Sequence, residues 1–92
     1  MSAIVRVPTI LRSYTGGEAE VPGNGATLND LLHDLETRHT GILARVLDEN
    51  GKIRRFVNIY VNDEDVRFEQ GLETPIADGA QISILAAVAG GR

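Results

Sequence analysis

Apolar and polar positions repeat with two different periods along this chain, and the changes of period mark its elements. Ala3 to Val7 is short and rich in β-branched residues, which predicts a strand ending near Pro8, because proline donates no ladder hydrogen bond. Thr9 to Thr15 runs on toward Gly16-Gly17, a pair that permits positive φ and marks a turn. The spacing predicts a hairpin whose second arm is Glu18 to Val21, with Pro22, Gly23 and Gly25 as its exit loop.

The period then becomes helical. Leu28, Leu31, Leu32 and Leu35 fall at i, i+3, i+4 and i+7 and stack on one helix face. Thr27 and Asp30 precede and open this run in a capping pattern: the Thr27 hydroxyl takes a free amide, and Asp30 reaches back while favouring the positive end of the helix dipole. Gly41 interrupts the pattern, and Ile42, Leu43, Val46 and Leu47 predict a further short helical turn over one end of the core.

Alternation returns at Phe56 to Val61, with Val57, Ile59 and Val61 on one face and Phe56, Asn58 and Tyr60 on the other. Asn62 and Asp63 tolerate left-handed backbone angles and predict a turn into a short strand containing Val66 and Phe68. After Asp78-Gly79 comes a last strand, Gln81 to Val88, with Ile82, Ile84, Ala86 and Val88 inward and Ser83, Leu85 and Ala87 outward. One leucine face and five strands are best buried in an α+β fold whose twisted sheet wraps one main helix, the first and last strands side by side and parallel at its centre.

Composition sharpens this picture. Ninety-two residues without repeat, linker or low-complexity segment make one domain over 1–92, with room for a single core. No apolar run nears the roughly 20 residues of a membrane span, and the N-terminal segment lacks the basic region and long apolar stretch of a signal peptide, so the chain is expected to be cytoplasmic. With no cysteine there is no disulfide, thiolate ligand or thiol nucleophile. A net charge of −4 and four aromatics argue against a nucleic-acid surface and favour a protein partner.

Candidate chemistry therefore concentrates at the end of the last strand. Residues 89–92, Ala89-Gly90-Gly91-Arg92, are expected to leave a central, rigid strand as a projecting and flexible tail. Successive glycines lack Cβ atoms and let a backbone thread a channel too narrow for other residues. A carboxylate delivered that way to a nucleotide becomes an acyl-adenylate, which accepts sulfide to give a thiocarboxylate, and the carrier itself then needs no cysteine.

The strand–helix order and the ending Ala87-Val88-Ala89-Gly90-Gly91 resemble the ubiquitin-like sulfur carriers of the MoaD and ThiS type, which share the β-grasp fold. The segments PTILRSYTGG, RFVNIYVNDEDVRF and PIADGAQISILAAVAGG are most similar to the branch of that family that serves actinobacterial cysteine biosynthesis. The resemblance implies a carrier that is not itself an enzyme and has no catalytic residues: Gly91 is the covalent sulfur-carrying site, with Gly90 and Ala89 threading the tail. It implies three partners: a MoeB- or ThiF-like activating enzyme using ATP and Mg²⁺, a PLP-dependent cysteine synthase, and a JAMM-type zinc metalloprotease. None of those cofactors is expected on the chain itself. Tyr60 and Leu85 are candidates for an exposed apolar patch that docks these partners.

Arg92 departs from the family pattern, since active carriers end at the second glycine. A proform trimmed by the metalloprotease, a cloning remnant and an inactive carrier each account for it. Carriers of this kind also serve molybdopterin, thiamin or thiosugar synthesis, and a module that interacts with or modifies other proteins is a further alternative. The remaining polar clusters read as surface. His33 and His39 lie six residues apart with no second ligand pair, so no metal site is expected. Lys52, Arg54 and Arg55 form a solvated basic cluster, and Asp63-Glu64-Asp65 an acidic turn without the offsets of a calcium loop.

Overall fold

The computed structural model describes residues 2–86. The main helix, α1 (Leu28–Arg38), starts where the capping pattern puts it, with the Asp30 amide donating to Thr27 Oγ1 at 3.2 Å. The reciprocal bond, in which the Thr27 amide would donate to the Asp30 carboxylate, is not among the side-chain bonds of the described residues. All four leucines of the stripe are buried. A left-handed Gly41 (φ 101°) then turns the chain into α2 (Ile42–Val46), which buries Ile42 and Val46.

Five strands form one mixed sheet in the order β2-β1-β5-β3-β4, with β1 Ser2–Arg6, β2 Glu20–Asn24, β3 Val57–Val61, β4 Glu64–Asp65 and β5 Gln81–Ala86. β1 and β5 are parallel at the centre, with Val5 beside Ile82, and β3 runs antiparallel to β5, with Ile59 beside Ile84. The inward residues Ala3, Val5, Val57, Ile59, Ile82 and Ile84 meet Leu28, Leu31, Leu32 and Leu35 in one core. The predicted continuation of β5 through Ala87 and Val88 lies outside the described residues.

The hairpin forms with two differences from its expected course. Thr9–Thr15 is a 3-10 helix between the arms, burying Leu11 and closing on left-handed Gly16 (φ 65°) and Gly17 (φ 90°). Pro22 and Gly23, expected in the exit loop, lie within β2. β2 is an edge strand, and a residue's N–H and C=O point to the same side of its strand. The Pro22 carbonyl points outward and accepts from Arg38 Nη2 at 2.8 Å, so the missing proline donor also falls on the outer edge, where no ladder needs it. Gly23 faces the helix, where a Cβ would sit 3.1 Å from Leu31 Cγ. Val66 and Phe68, expected in a short strand, lie in a 3-10 turn (Val66–Phe68) that follows the two-residue β4. The Asn62-Asp63 turn is left-handed as expected (φ 51° and 72°).

Candidate functional site

β5 leads the chain toward the diglycine, and its neighbours decide what surrounds the point of departure. Ala86 stands opposite Val57, the first residue of β3, and Leu85 opposite Asn58. Leu85 points away from the core and is 50% exposed. Tyr60, opposite Ser83, projects from the same outer face and is half-buried. Together with Asp63 and Ser83, Tyr60 and Leu85 line a shallow hollow of about 280 Å³. The structure thus brings together the two residues expected to form a patch, on the sheet face remote from α1 and one residue before the described chain ends. Ala89, Gly90, Gly91 and Arg92 lie outside the described residues.

Alternation on β3 alone does not show the second feature of this end of the sheet. β4 pairs only with Tyr60 and Val61, so the start of β3 has no strand on its outer side. Arg67 fills that gap: its guanidinium donates to the Val57 carbonyl at 2.6 Å, to the Arg54 carbonyl at 3.1 Å and to Asn58 Oδ1. The turn bearing Arg67 is fixed by the Asp65 carboxylate, which accepts from the Arg67 amide at 2.9 Å. Phe68, next in the chain, is 86% exposed, and Phe56, preceding β3, is 47% exposed. A solvent-facing phenylalanine on a fixed turn had no signal in the periodicity, because Phe68 followed Val66 at strand spacing.

The other polar clusters hold the scaffold. The Glu36 carboxylate accepts from the Gly41 and Leu43 amides at 3.0 and 2.9 Å and so caps α2 from α1; these two bonds hold its pKa below the ordinary glutamate value. The Asp48 carboxylate, lowered chiefly by the Lys52 amide, closes the turn after α2. Asp34 is lowered first by its pairing with Arg38 and then by the Asn24 amide. Arg54, expected to be merely solvated, donates through Nε to the Ala44 carbonyl at 2.9 Å and so ties down the last turn of α2. His33 is exposed with Nδ1 2.9 Å from the Asn29 carbonyl, and no metal-holding cluster occurs among the described residues. No helix of the described residues is long and apolar enough to cross a membrane.

A sheet that grips one main helix, with its central strand leading to a diglycine, defines the β-grasp class of ubiquitin-like proteins. The model of the ThiS family matches residues 5–91, and the chain belongs to this family of ThiS/MoaD-type sulfur carriers, which carry rather than catalyse. It is 55% identical to the sulfur carrier protein CysO of Mycobacterium tuberculosis, over 99% of this chain and 100% of that one. Its fold superposes with a TM-score of 0.90 on CysO in the BexX/CysO complex of Amycolatopsis orientalis, at 54% identity over 97% of this chain and 99% of that one. The crystal structure of Mycobacterium tuberculosis CysO gives 0.89, at 53% identity over 94% and 99%.

Proposed function

We propose that the chain carries sulfur as a thiocarboxylate on the carbonyl carbon of Gly91 and donates it in cysteine biosynthesis. The observation that carries this reading is the extent of the family match, which runs through Gly91 and stops before Arg92. The Gly91–Arg92 bond is hydrolysed first, and a JAMM-type metalloprotease is the partner suited to that cut. An activating enzyme of the MoeB or ThiF kind then joins the freed carboxylate to AMP, releasing pyrophosphate from ATP, and sulfide displaces AMP. The product is a nucleophile for a PLP-dependent cysteine synthase. ATP, Mg²⁺, PLP and zinc belong to those partners. Gly90 and Ala89 let the tail thread, and the face around Tyr60 and Leu85 seats the partner beside it.

Two features support this division of labour. A solved relative at 54% identity is a complex, BexX/CysO. The outward apolar pair lies where β5 leads into the tail, so one enzyme can grip the face and receive the terminus together. Intact-mass measurement after incubation with ATP, sulfide and an activating enzyme tests the chemistry. Protein ending at Gly91 gains about 16 Da, one oxygen exchanged for sulfur, and protein retaining Arg92 gains nothing. A mass gain on the chain that retains Arg92 refutes the assignment of Gly91.

A further inference from the structure

The last stretch of β5 is held by strands from one side only. Its registered pairs with β1 run from Ile4–Gln81 to Arg6–Ser83 and stop there, so Leu85 and Ala86 have strand partners in β3 alone, Asn58 and Val57. The two pairs are unequal. The Val57 amide donates to the Arg54 carbonyl and the Val57 carbonyl accepts from Arg67, so Val57 turns both backbone groups away from β5. Backbone groups alternate sides along a strand, and Asn58 therefore turns its own toward Leu85. Asn58–Leu85 is thus the last hydrogen-bonded rung between β3 and β5 among the described residues, and the chain runs on from it toward Gly91.

What steadies that rung is β3, and the start of β3 has no strand beyond it, because β4 reaches only Tyr60 and Val61. Arg67 stands in for one. Its single guanidinium holds the carbonyls of Arg54 and Val57 and the side chain of Asn58, on the β3 side of the rung. The guanidinium is set in turn by the Asp65 carboxylate, which accepts from the Arg67 amide at 2.9 Å. A strand end held by one rung opens locally without unfolding the rest. Opening here would lengthen the chain between the body and Gly91, and a longer tether lowers the effective concentration of a terminus at an enzyme docked on the body.

We propose that Arg67 is a positioning residue for the carrier's terminus: through β3 it fixes Leu85 on β5, and so fixes the point on the body from which Gly91 is presented to the activating enzyme. The inference rests on the activation of Gly91 proposed above.

Two measurements test it, the first without any enzyme. In Arg67→Ala, exchange of the Leu85 amide hydrogen is expected to quicken about fivefold, while that of Ser83, in the next rung inward with Tyr60, changes by less than about twofold. Equal quickening of both amides is a general loss of stability and overturns the proposal. The second measurement is pyrophosphate release from ATP by an activating enzyme at limiting concentration, with protein ending at Gly91 and no sulfide. Arg67→Ala is expected to lower kcat/KM for the carrier about twofold or more. An unchanged value overturns the proposal.

A covalent tie then replaces the lost one. Val57 and Ala86 form a pair without hydrogen bonds between them, and the Cα atoms of such pairs lie about 4.5 Å apart, within disulfide reach. The chain has no cysteine of its own to interfere. Val57→Cys/Ala86→Cys in the Arg67→Ala protein should restore Leu85 protection and kcat/KM when oxidised, and lose both on reduction with a phosphine. An oxidised protein that regains protection without kcat/KM places Arg67 in direct contact with the enzyme instead, and overturns the proposal. If the unaltered protein releases no pyrophosphate, the activation reading fails, and amide exchange decides alone whether Arg67 fixes the strand end.

Discussion

At Gly25 a single hydrogen atom decides how closely the hairpin approaches the helix. A Cβ there would sit 2.4 Å from the Leu31 amide nitrogen and 2.8 Å from Leu31 Cα, and these are backbone atoms that no rotamer change can move aside. Gly25→Ala is therefore expected to cost about 3 kcal/mol or somewhat more, at the upper end of overpacking, read as a fall in the urea midpoint at unchanged slope. In the sequence, Gly25 is one of several loop glycines, and nothing in its neighbours distinguishes a turn former from a contact point. Gly41 differs: its φ of 101° is the turn that the broken helical pattern announces, although the Tyr14 ring 2.9 Å from its would-be Cβ is a tertiary fact. Glu36 is likewise silent in the sequence, reading as a solvent-facing helix residue until the chain folds back to bring two amides to it. Its folded pKa lies below the unfolded value, so the folded state binds fewer protons. Its contribution to stability is complete above the ordinary value of 4.5 and is lost as pH falls through the lower, folded value. Glu36→Gln should accordingly flatten the acid side of the melting temperature against pH while leaving the neutral side comparatively level, since Asp34 and Asp48 keep their own acid dependence.

Among the elements, those whose partners are set by period were legible. The leucine stripe of α1, the alternation of β3 and β5, and the central parallel pairing all follow from burying one apolar face against another. The 3-10 helix at Thr9–Thr15 and the course of β2 were not, because each answers to a neighbour distant in sequence. Side chains close both outer borders of the sheet. On β2, the Asn24 amide donates to Asp34 Oδ2 at 2.8 Å and the Pro22 carbonyl accepts from Arg38, while Asp34 and Arg38 pair at 2.9 Å. On β3, Arg67 takes the place of a missing strand. Removing it leaves the part-buried Val57 carbonyl without its side-chain donor, while the Arg54 carbonyl keeps the Val57 amide at 3.1 Å, and Arg67→Ala is expected to cost about 1 kcal/mol. Arg67→Lys should recover only part of this, because a single ammonium does not span the forked set of acceptors. Equilibrium urea unfolding of both variants measures the difference.

For the molecule as a whole, the sheet face and the tail are separable in their effects. Leu85 is half exposed and touches little of the core, so Leu85→Arg should change stability by no more than about 0.5 kcal/mol. It should nevertheless slow thiocarboxylation at limiting activating enzyme. Gly90→Val should abolish thiocarboxylation at any enzyme concentration, again with the melting temperature nearly unchanged. A Leu85→Arg rate equal to that of the unaltered protein would remove the sheet face from the docking surface while leaving the tail chemistry intact. The sequence named both features because one is a motif and the other follows from strand alternation. What it could not show is which strand lies on the other side of β5: pairing with β3 sets Leu85 opposite Asn58 and Tyr60 opposite Ser83, and so brings the two outward residues to one hollow.

That placement has a mechanical meaning. β5 is laced to β1 on one side and to β3 on the other. A pull along it loads both ladders in shear, all rungs at once, instead of peeling them singly from an end. An enzyme that pulled on the terminus would therefore strain both ladders together and could not unpick the strand from one end.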